Sequence, residues 1–264
     1  MARPDKRLGQ HFLRDTRLLG RIADALGAGP ADTVLEVGPG PGGLTAELAE
    51  RAGRVLALEK DPALARALAG RWGNVEVVPG DALDLDWHRL AGGPFLVAGN
   101  IPYNITSPLV DKALVPPRPA RVVYLVQREV ADRLAASPGS PDYGALTVGV
   151  RAVAEVERLF RVPAGAFHPP PRVESAVVRL TPLAVPLVAD AEVAPFRRTV
   201  VGLFGFRRKQ LQRGVRELTG WESERAAAAL AAAGITPALR PEALAPADFA
   251  RLHRVLVDGG WSRG

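Results

Sequence analysis

The sequence contains no cysteine, which excludes a disulfide framework, a thiolate nucleophile and a cysteine-ligated zinc site. Histidine is almost as scarce. The four present, His11, His88, His168 and His253, show neither ligand spacing nor catalytic clustering, so no metal centre is expected and packing or surface roles suit them best. No run of about eighteen apolar residues occurs, and Met1 to Arg7 is polar and charged, unlike a signal segment. A soluble, cytoplasmic chain without membrane attachment is expected. Lysine is rare too: Lys6, Lys60, Lys112 and Lys209 stand against thirty arginines. The net charge of +6 suits a polyanionic partner, because Lys and Arg that neutralise phosphates release counterions. An arginine excess is equally the mark of a GC-rich genome, so charge alone selects no partner.

At 264 residues, 47% of them hydrophobic, the chain can fill one large core and carry a small appendage. Short aliphatic runs alternate with stretches of helical spacing, the pattern of a mostly parallel sheet covered by helices. The spacing predicts strands at Thr33–Val37, Val55–Leu58, Val75–Val78, Phe95–Ala98 and Val122–Val126, and two more near Leu146–Ala154 and Ser175–Leu180. Helices are expected at Gly42–Glu50, Pro62–Ala69 and Ser107–Ala113. Pro163–Pro171 reads as a proline-rich loop and Thr181–Pro195 as a linker. From Phe196 onward only helical segments are visible, including the alanine-rich Glu222–Ala233 stopped by Gly234. The expected fold is α/β: a seven-stranded Rossmann-like domain over residues 1–185, then a small all-helical domain over residues 186–264.

The first strand runs straight into Gly38-Pro39-Gly40-Pro41-Gly42-Gly43 and then a helix. That places a glycine loop at a strand's carboxyl end, where open α/β sheets bind ligands, and glycines let the backbone approach a ligand closely. The spacing fits G-x-G-x-G through Gly42 and G-x-G-x-x-G through Gly43, so a nicotinamide or flavin dinucleotide competes with S-adenosylmethionine. Glu59, about twenty residues on, can accept from ribose hydroxyls of either. Pro41 removes an N–H donor that a pyrophosphate would use, which favours the cofactor with the methionine tail. Asp81, after the third strand, could accept from a cofactor adenine amine; alone it would be an ordinary turn aspartate.

Asn100-Ile101-Pro102-Tyr103-Asn104 follows the fourth strand on the same rim. An exocyclic adenine amine is a poor nucleophile, its lone pair delocalised into the ring, so a catalyst must stabilise the tetrahedral, cationic amine of the transition state. The Asn100 side-chain oxygen and the Ile101 carbonyl could accept its N–H groups, Pro102 would stiffen the turn, and Tyr103 could stack on a purine. No strong base is needed, because the alkylated nitrogen loses its proton readily to water.

With these residues in order, the chain resembles the small-subunit (16S) ribosomal RNA adenine N6,N6-dimethyltransferases (dimethyladenosine transferases), relatives of the macrolide-resistance large-subunit enzymes. The resemblance begins at Lys6-Arg7-Leu8-Gly9-Gln10-His11-Phe12-Leu13 and takes in the glycine loop, Glu59, Asp81 and the Asn100–Asn104 segment. It continues through Gln127–Val130, Tyr143-Gly144, Phe167–Ser175 and Arg207-Arg208-Lys209. It implies an S-adenosylmethionine-dependent methyltransferase whose cofactor site comprises His11, Leu13, Gly38, Gly40, Glu59, Asp81 and Asn100. Asn100, Tyr103 and Phe167 would form the catalytic set, the two aromatic rings sandwiching a flipped adenine. The implied partner is small-subunit rRNA in an immature subunit, met by a monomer. Two departures stand out: the family more often has asparagine at His11, and Arg213-Gly214 replace an asparagine-serine pair. Rival readings are the same chemistry on large-subunit RNA, a non-catalytic RNA-binding assembly factor, and a dinucleotide oxidoreductase. The last is disfavoured by Asn100 with Tyr103. A run of arginines from Arg197 to Arg216, without an acidic residue from Val193, is expected to dock RNA.

Overall fold

A computed structural model describes residues 10–261; Lys6–Gly9, where the resemblance begins, lie outside them. In chain order the elements are β1 (Phe12–Leu13), α1 (Thr16–Leu26), β2 (Thr33–Val37), α2 (Gly43–Ala49), β3 (Arg54–Glu59), α3 (Pro62–Leu68) and β4 (Val75–Pro79). They continue with α4 (Trp87–Ala91), β5 (Leu96–Asn100), α5 (Thr106–Ala113), β6 (Val122–Gln127), α6 (Arg128–Ala135), α7 (Ala145–Arg151), β7 (Ala154–Val162), β8 (Phe167–His168) and β9 (Ser175–Pro182). The remaining helices are α8 (Val193–Gly205), α9 (Leu211–Thr219), α10 (Ser223–Ala232) and α11 (Pro246–Asp258). Among the described residues no helix is long and apolar enough to cross a membrane.

The chain divides into two compact units. One comprises residues up to Ala131 together with Val156–Pro182; the other comprises Asp132–Glu155 and Leu183 onward. The expected boundary at residue 185 lies close to the observed passage at Pro182–Leu183, but the second unit also draws in Asp132–Glu155. The reason is α7. Its segment was expected to be a strand because Leu146-Thr147-Val148-Gly149-Val150 is short and aliphatic, and a run of that length does not distinguish strand from buried helix. It is a helix, started where the Gly144 N–H donates to Thr147 Oγ1 and anchored where that hydroxyl donates to the Arg133 carbonyl. The strand begins after it, at Ala154.

In the first unit the seven-stranded sheet runs β4-β3-β2-β5-β6-β9-β7. From β4 to β6 all neighbours are parallel, and β9 is antiparallel to β6. Strands covered on both faces need apolar side chains on both, which is why Val34–Val37, Val55–Glu59 and Val122–Val126 are buried almost without interruption. β2 is central and is flanked by β3 and β5, so the chain leaves the sheet centre in both directions and opens a crevice at the strands' carboxyl ends. Helix α1 begins at Asp15, whose side chain accepts from Leu18 N–H, and ends at Gly27; it buries Leu19, Ile22 and Leu26 in a core shared with Leu48, Val55, Val123 and Val177.

The second unit is helical, with a core of Phe196, Val200, Leu203, Leu211, Val215, Leu230, Phe249 and Leu256. Two polar side chains cross this core satisfied. Tyr143 donates to the Leu244 carbonyl at 2.7 Å. His253 lies 2.8 Å from Thr199 Oγ1 through Nδ1, edge-on to Phe196. Burial holds the His253 imidazole below its ordinary pKa; Glu192 opposes this, and Arg254 and Arg198 add to it. A base with a lowered folded pKa stays neutral in the fold, while the unfolded chain takes up a proton as pH falls below about 6.5. Its contribution to stability is therefore full above that pH and lost progressively below it. Thermal melts at pH 7.5 and 5.5 should show an acid-induced drop that His253→Gln reduces. An equal drop in wild type and variant would contradict this role.

Candidate active site

One pocket at the carboxyl ends of β2, β3 and β5 is lined by His11, Leu13, Glu36, Gly38, Gly40, Glu59, Lys60, Asp81, Asn100 and Tyr103, among others. The structure thus gathers every expected cofactor-site residue around a single cavity. Two glycines make the geometry possible. Gly40 has φ +57°, and a Cβ there would meet the Phe12 ring at 2.9 Å. A Cβ on Gly99 would stand 2.5 Å from the Val37 carbonyl oxygen, so only glycine lets the end of β5 close against β2 and bring Asn100 beside the glycine loop.

Glu59 is 4% exposed and holds the loop in place. Its Oε2 accepts from Gly40 N–H at 3.0 Å and its Oε1 from Asp61 N–H at 2.8 Å. Burial raises its pKa, and these backbone donors pull the other way. Each carboxylate oxygen keeps a lone pair for a ligand hydroxyl. Glu36, missed in the sequence reading although it directly precedes Val37 and the loop, is a second buried carboxyl at 1% exposure. Burial pushes its pKa up to about 8, with Thr45 lowering it and Glu59 raising it, and no protein group satisfies Oε2. Asp81 differs from both. Lys60 Nζ lies 2.6 Å from its Oδ2 and Leu83 N–H donates to Oδ1, and these two contacts, the lysine first, hold its carboxyl below the usual range.

Asn100 Nδ2 donates to the His11 carbonyl at 2.8 Å. That contact fixes which edge of the amide is which and leaves Oδ1 as the acceptor. It also shows what position 11 contributes here: the backbone oxygen, which any residue supplies, so the departure from asparagine leaves this contact intact. The His11 ring has its own partners, Nδ1 against the Pro169 carbonyl at 2.8 Å and the face of Tyr103 at a ring separation of 5.7 Å. Tyr103 is positioned from its other end, with its hydroxyl 2.6 Å from Ser175 Oγ; burial raises its pKa and Ser175 lowers it. The N-terminal segment that carries these contacts is held by β1 pairing antiparallel to β8, Phe12 opposite His168 and Leu13 opposite Phe167.

Phe167 is the exception among the expected residues. Its side chain is 4% exposed and packs in the sheet's core with Leu13, Leu19 and Val177 rather than along the pocket. Pairing with β1 turns it inward, so the ring sandwich expected from the sequence is not assembled in this structure. Among the described residues no group of three or more His, Asp or Glu could hold a metal ion.

Comparison with known proteins agrees with this geometry. The family model described as ribosomal RNA adenine dimethylase matches residues 1–257. The Ribosomal RNA small subunit methyltransferase A of Pelotomaculum thermopropionicum is 45% identical, over 97% of this chain and 92% of the relative. That of Rubrobacter xylanophilus is 46% identical, over 96% and 95%. Among solved structures, a dimethyladenosine transferase from Plasmodium falciparum superposes with a TM-score of 0.82 at 25% identity, covering 95% of this chain and 98% of that one. The 23S rRNA methyltransferase ErmE does so with a TM-score of 0.72 at 34% identity, covering 93% and 99%. A match of this reach shows that the chain belongs to the ribosomal RNA adenine dimethylase family.

Proposed function

We propose that this chain uses S-adenosylmethionine to dimethylate N6 of two adjacent adenosines in the 3′-terminal hairpin loop of small-subunit ribosomal RNA, acting as a cytoplasmic monomer on an immature subunit. The observation that carries the reading is the Asn100 amide, fixed by the His11 carbonyl on the rim that also bears the glycine loop. The cavity suits this cofactor better than a dinucleotide. Glu36, kept protonated at neutral pH by burial and with its Oε2 unsatisfied, would ionise beside a cation, so the cavity favours a positively charged ligand over a pyrophosphate.

Glu59 would hold the ribose and Asp81 the adenine amine, with backbone at Gly38, Gly40, His11 and Leu13 enclosing the rest. Bound there, S-adenosylmethionine supplies an electrophilic methyl group on a sulfonium. The chain's part is to present the nucleophile. Tyr103 would stack on the flipped adenine, and Asn100 Oδ1 with the Ile101 carbonyl would accept its N6 hydrogens, stabilising the amine as it becomes tetrahedral and cationic. Positioning dominates, since no base is required. Base stacking is assigned to Tyr103 first, because Phe167 would have to leave the core to take part. In the second unit, Arg207 is already paired with Glu242 at 3.0 Å and donates to the Pro141 carbonyl, so Arg208 and Lys209, both exposed, are the stronger candidates for phosphate contacts there.

Calorimetry should detect S-adenosylmethionine binding and no NAD binding, with Glu59→Ala weaker by ~1 to 3 kcal/mol through lost hydrogen bonds; NAD binding alone would overturn the cofactor assignment. Asn100→Ala should lower single-turnover methylation by on the order of a hundredfold while RNA affinity stays close to wild type. Loss of RNA binding at an unchanged rate would contradict its role. The substrate is tested by offering both ribosomal subunits from an unmodified strain with labelled cofactor. Label should enter small-subunit RNA as dimethyladenosine, and label in large-subunit RNA alone would favour the ErmE-like alternative.

A further inference from the structure

The exposed face of α1 and the residue just before its cap carry arginines that take no part in the pocket. Arg14, Arg17 and Arg21 are all exposed, and the spacing from Arg17 to Arg21 puts these two on one helix face, opposite buried Leu19, Ile22, Ala23 and Leu26. Among the described residues none of the three pairs with a carboxylate. Acidic residues in and beside α1 are engaged elsewhere: Asp15 caps α1 at Leu18 N–H, and Asp24 and Glu47 both pair with Arg51, at 3.0 and 2.9 Å.

Two further contacts give this face a built geometry. The Arg21 guanidinium lies 3.8 Å over the ring centre of half-buried Phe160 on β7, the edge strand of the sheet. A guanidinium held over a ring face is restrained in position while its N–H donors need not be spent on the ring, so they can serve a phosphate as a fork. Arg14 is anchored by its backbone, N–H to the Ala166 carbonyl at 2.9 Å. It is three residues from His11, which lines the pocket. At about 1.5 Å per residue Arg17 and Arg21 stand roughly 6 Å apart along α1, with Arg14 immediately before the cap Asp15.

We propose that Arg14, Arg17 and Arg21 form a docking surface for the RNA phosphate backbone that flanks the methylated adenosines. The first unit would then hold its own substrate strand in addition to any contact made by the arginines of the second. The face is positive and hydrophilic and adjoins in sequence the segment that lines the pocket, so it suits contacts to the phosphate backbone that position the strand. The proposal rests on the reading that the substrate is ribosomal RNA.

The test uses the full chain and an unmethylated 3′-terminal small-subunit rRNA hairpin, with binding measured across a salt series. Arg14→Gln/Arg17→Gln leaves the Arg21–Phe160 stack untouched, and the triple variant adds Arg21→Gln. A control of equal charge, Arg66→Gln/Arg89→Gln, removes two exposed arginines on α3 and α4. The double variant should bind the hairpin roughly tenfold or more weakly at about 0.1 M salt, with the salt slope shallower by about one to two units, the triple variant more so. S-adenosylmethionine affinity should be unchanged, and saturating RNA should restore turnover, so that KM rises while kcat holds. Equal weakening by the control would reduce the effect to net charge and overturn the proposal, as would a double variant with wild-type affinity and slope. If wild type itself transfers no methyl group to small-subunit RNA, the substrate reading fails separately, whatever the variants do.

Discussion

A backbone amide held by a buried carboxylate, Gly40 N–H to Glu59, is the contact on which the rest of the site depends. It ties the loop after β2 to the end of β3. Gly99 lets β5 close on β2 from the other side, because no Cβ fits against the Val37 carbonyl. Three strand ends are thereby brought to one rim, and a ligand reaching Glu59 is within the same cavity as Asn100. The cost of burying Glu59 is offset by two backbone donors, whereas Glu36 has no such donor at Oε2 and rises to about 8. A cation seated beside Glu36 would lower that pKa and ionise it, so a cavity with one satisfied and one unsatisfied carboxyl favours a cationic occupant.

The N-terminal segment closes the site with little secondary structure. A two-residue strand pairs with another two-residue strand, and from it the His11 carbonyl receives Asn100 Nδ2 while the His11 ring covers Tyr103. The side chain at position 11 can therefore differ from the family's usual asparagine without disturbing the acceptor's orientation. What differs is the surface that Tyr103 presents, because an imidazole rests against its ring in this chain. The α1 arginines continue from the same segment, so cofactor enclosure, acceptor orientation and the proposed strand docking all depend on residues 10–21.

Much of the sheet was legible in the sequence because parallel strands buried on both faces must be nearly continuous apolar runs, and Val34–Val37 and Val122–Val126 fit that pattern between turn signals. The glycine loop, Glu59, Asp81 and the Asn100–Tyr103 segment were legible for a related reason: each follows a strand at its carboxyl end. Leu146–Val150 was misread because a five-residue run with three aliphatic side chains carries no period, and the Thr147 contacts decide for helix. The two-residue β1 and β8 leave no pattern at all, so the inward turn of Phe167 could not be foreseen from its motif. Glu36 was overlooked as one polar residue in an apolar strand, although an acid in a strand with no visible partner is itself a signal. Arg207 shows the limit of reading charge runs, since an ion pair 35 residues away absorbs one of the three cations.

A structure of the chain with bound S-adenosylhomocysteine, refined far enough to assign the Asn100 amide, tests the central claim most directly. The account predicts the ligand in the β2/β5 crevice, its ribose hydroxyls on Glu59, its amino-acid end beside Glu36, and Asn100 Nδ2 still on the His11 carbonyl with Oδ1 facing the open end of the cavity. A ligand seated away from Glu59, or an Asn100 amide reversed so that Nδ2 faces the cavity, would contradict it.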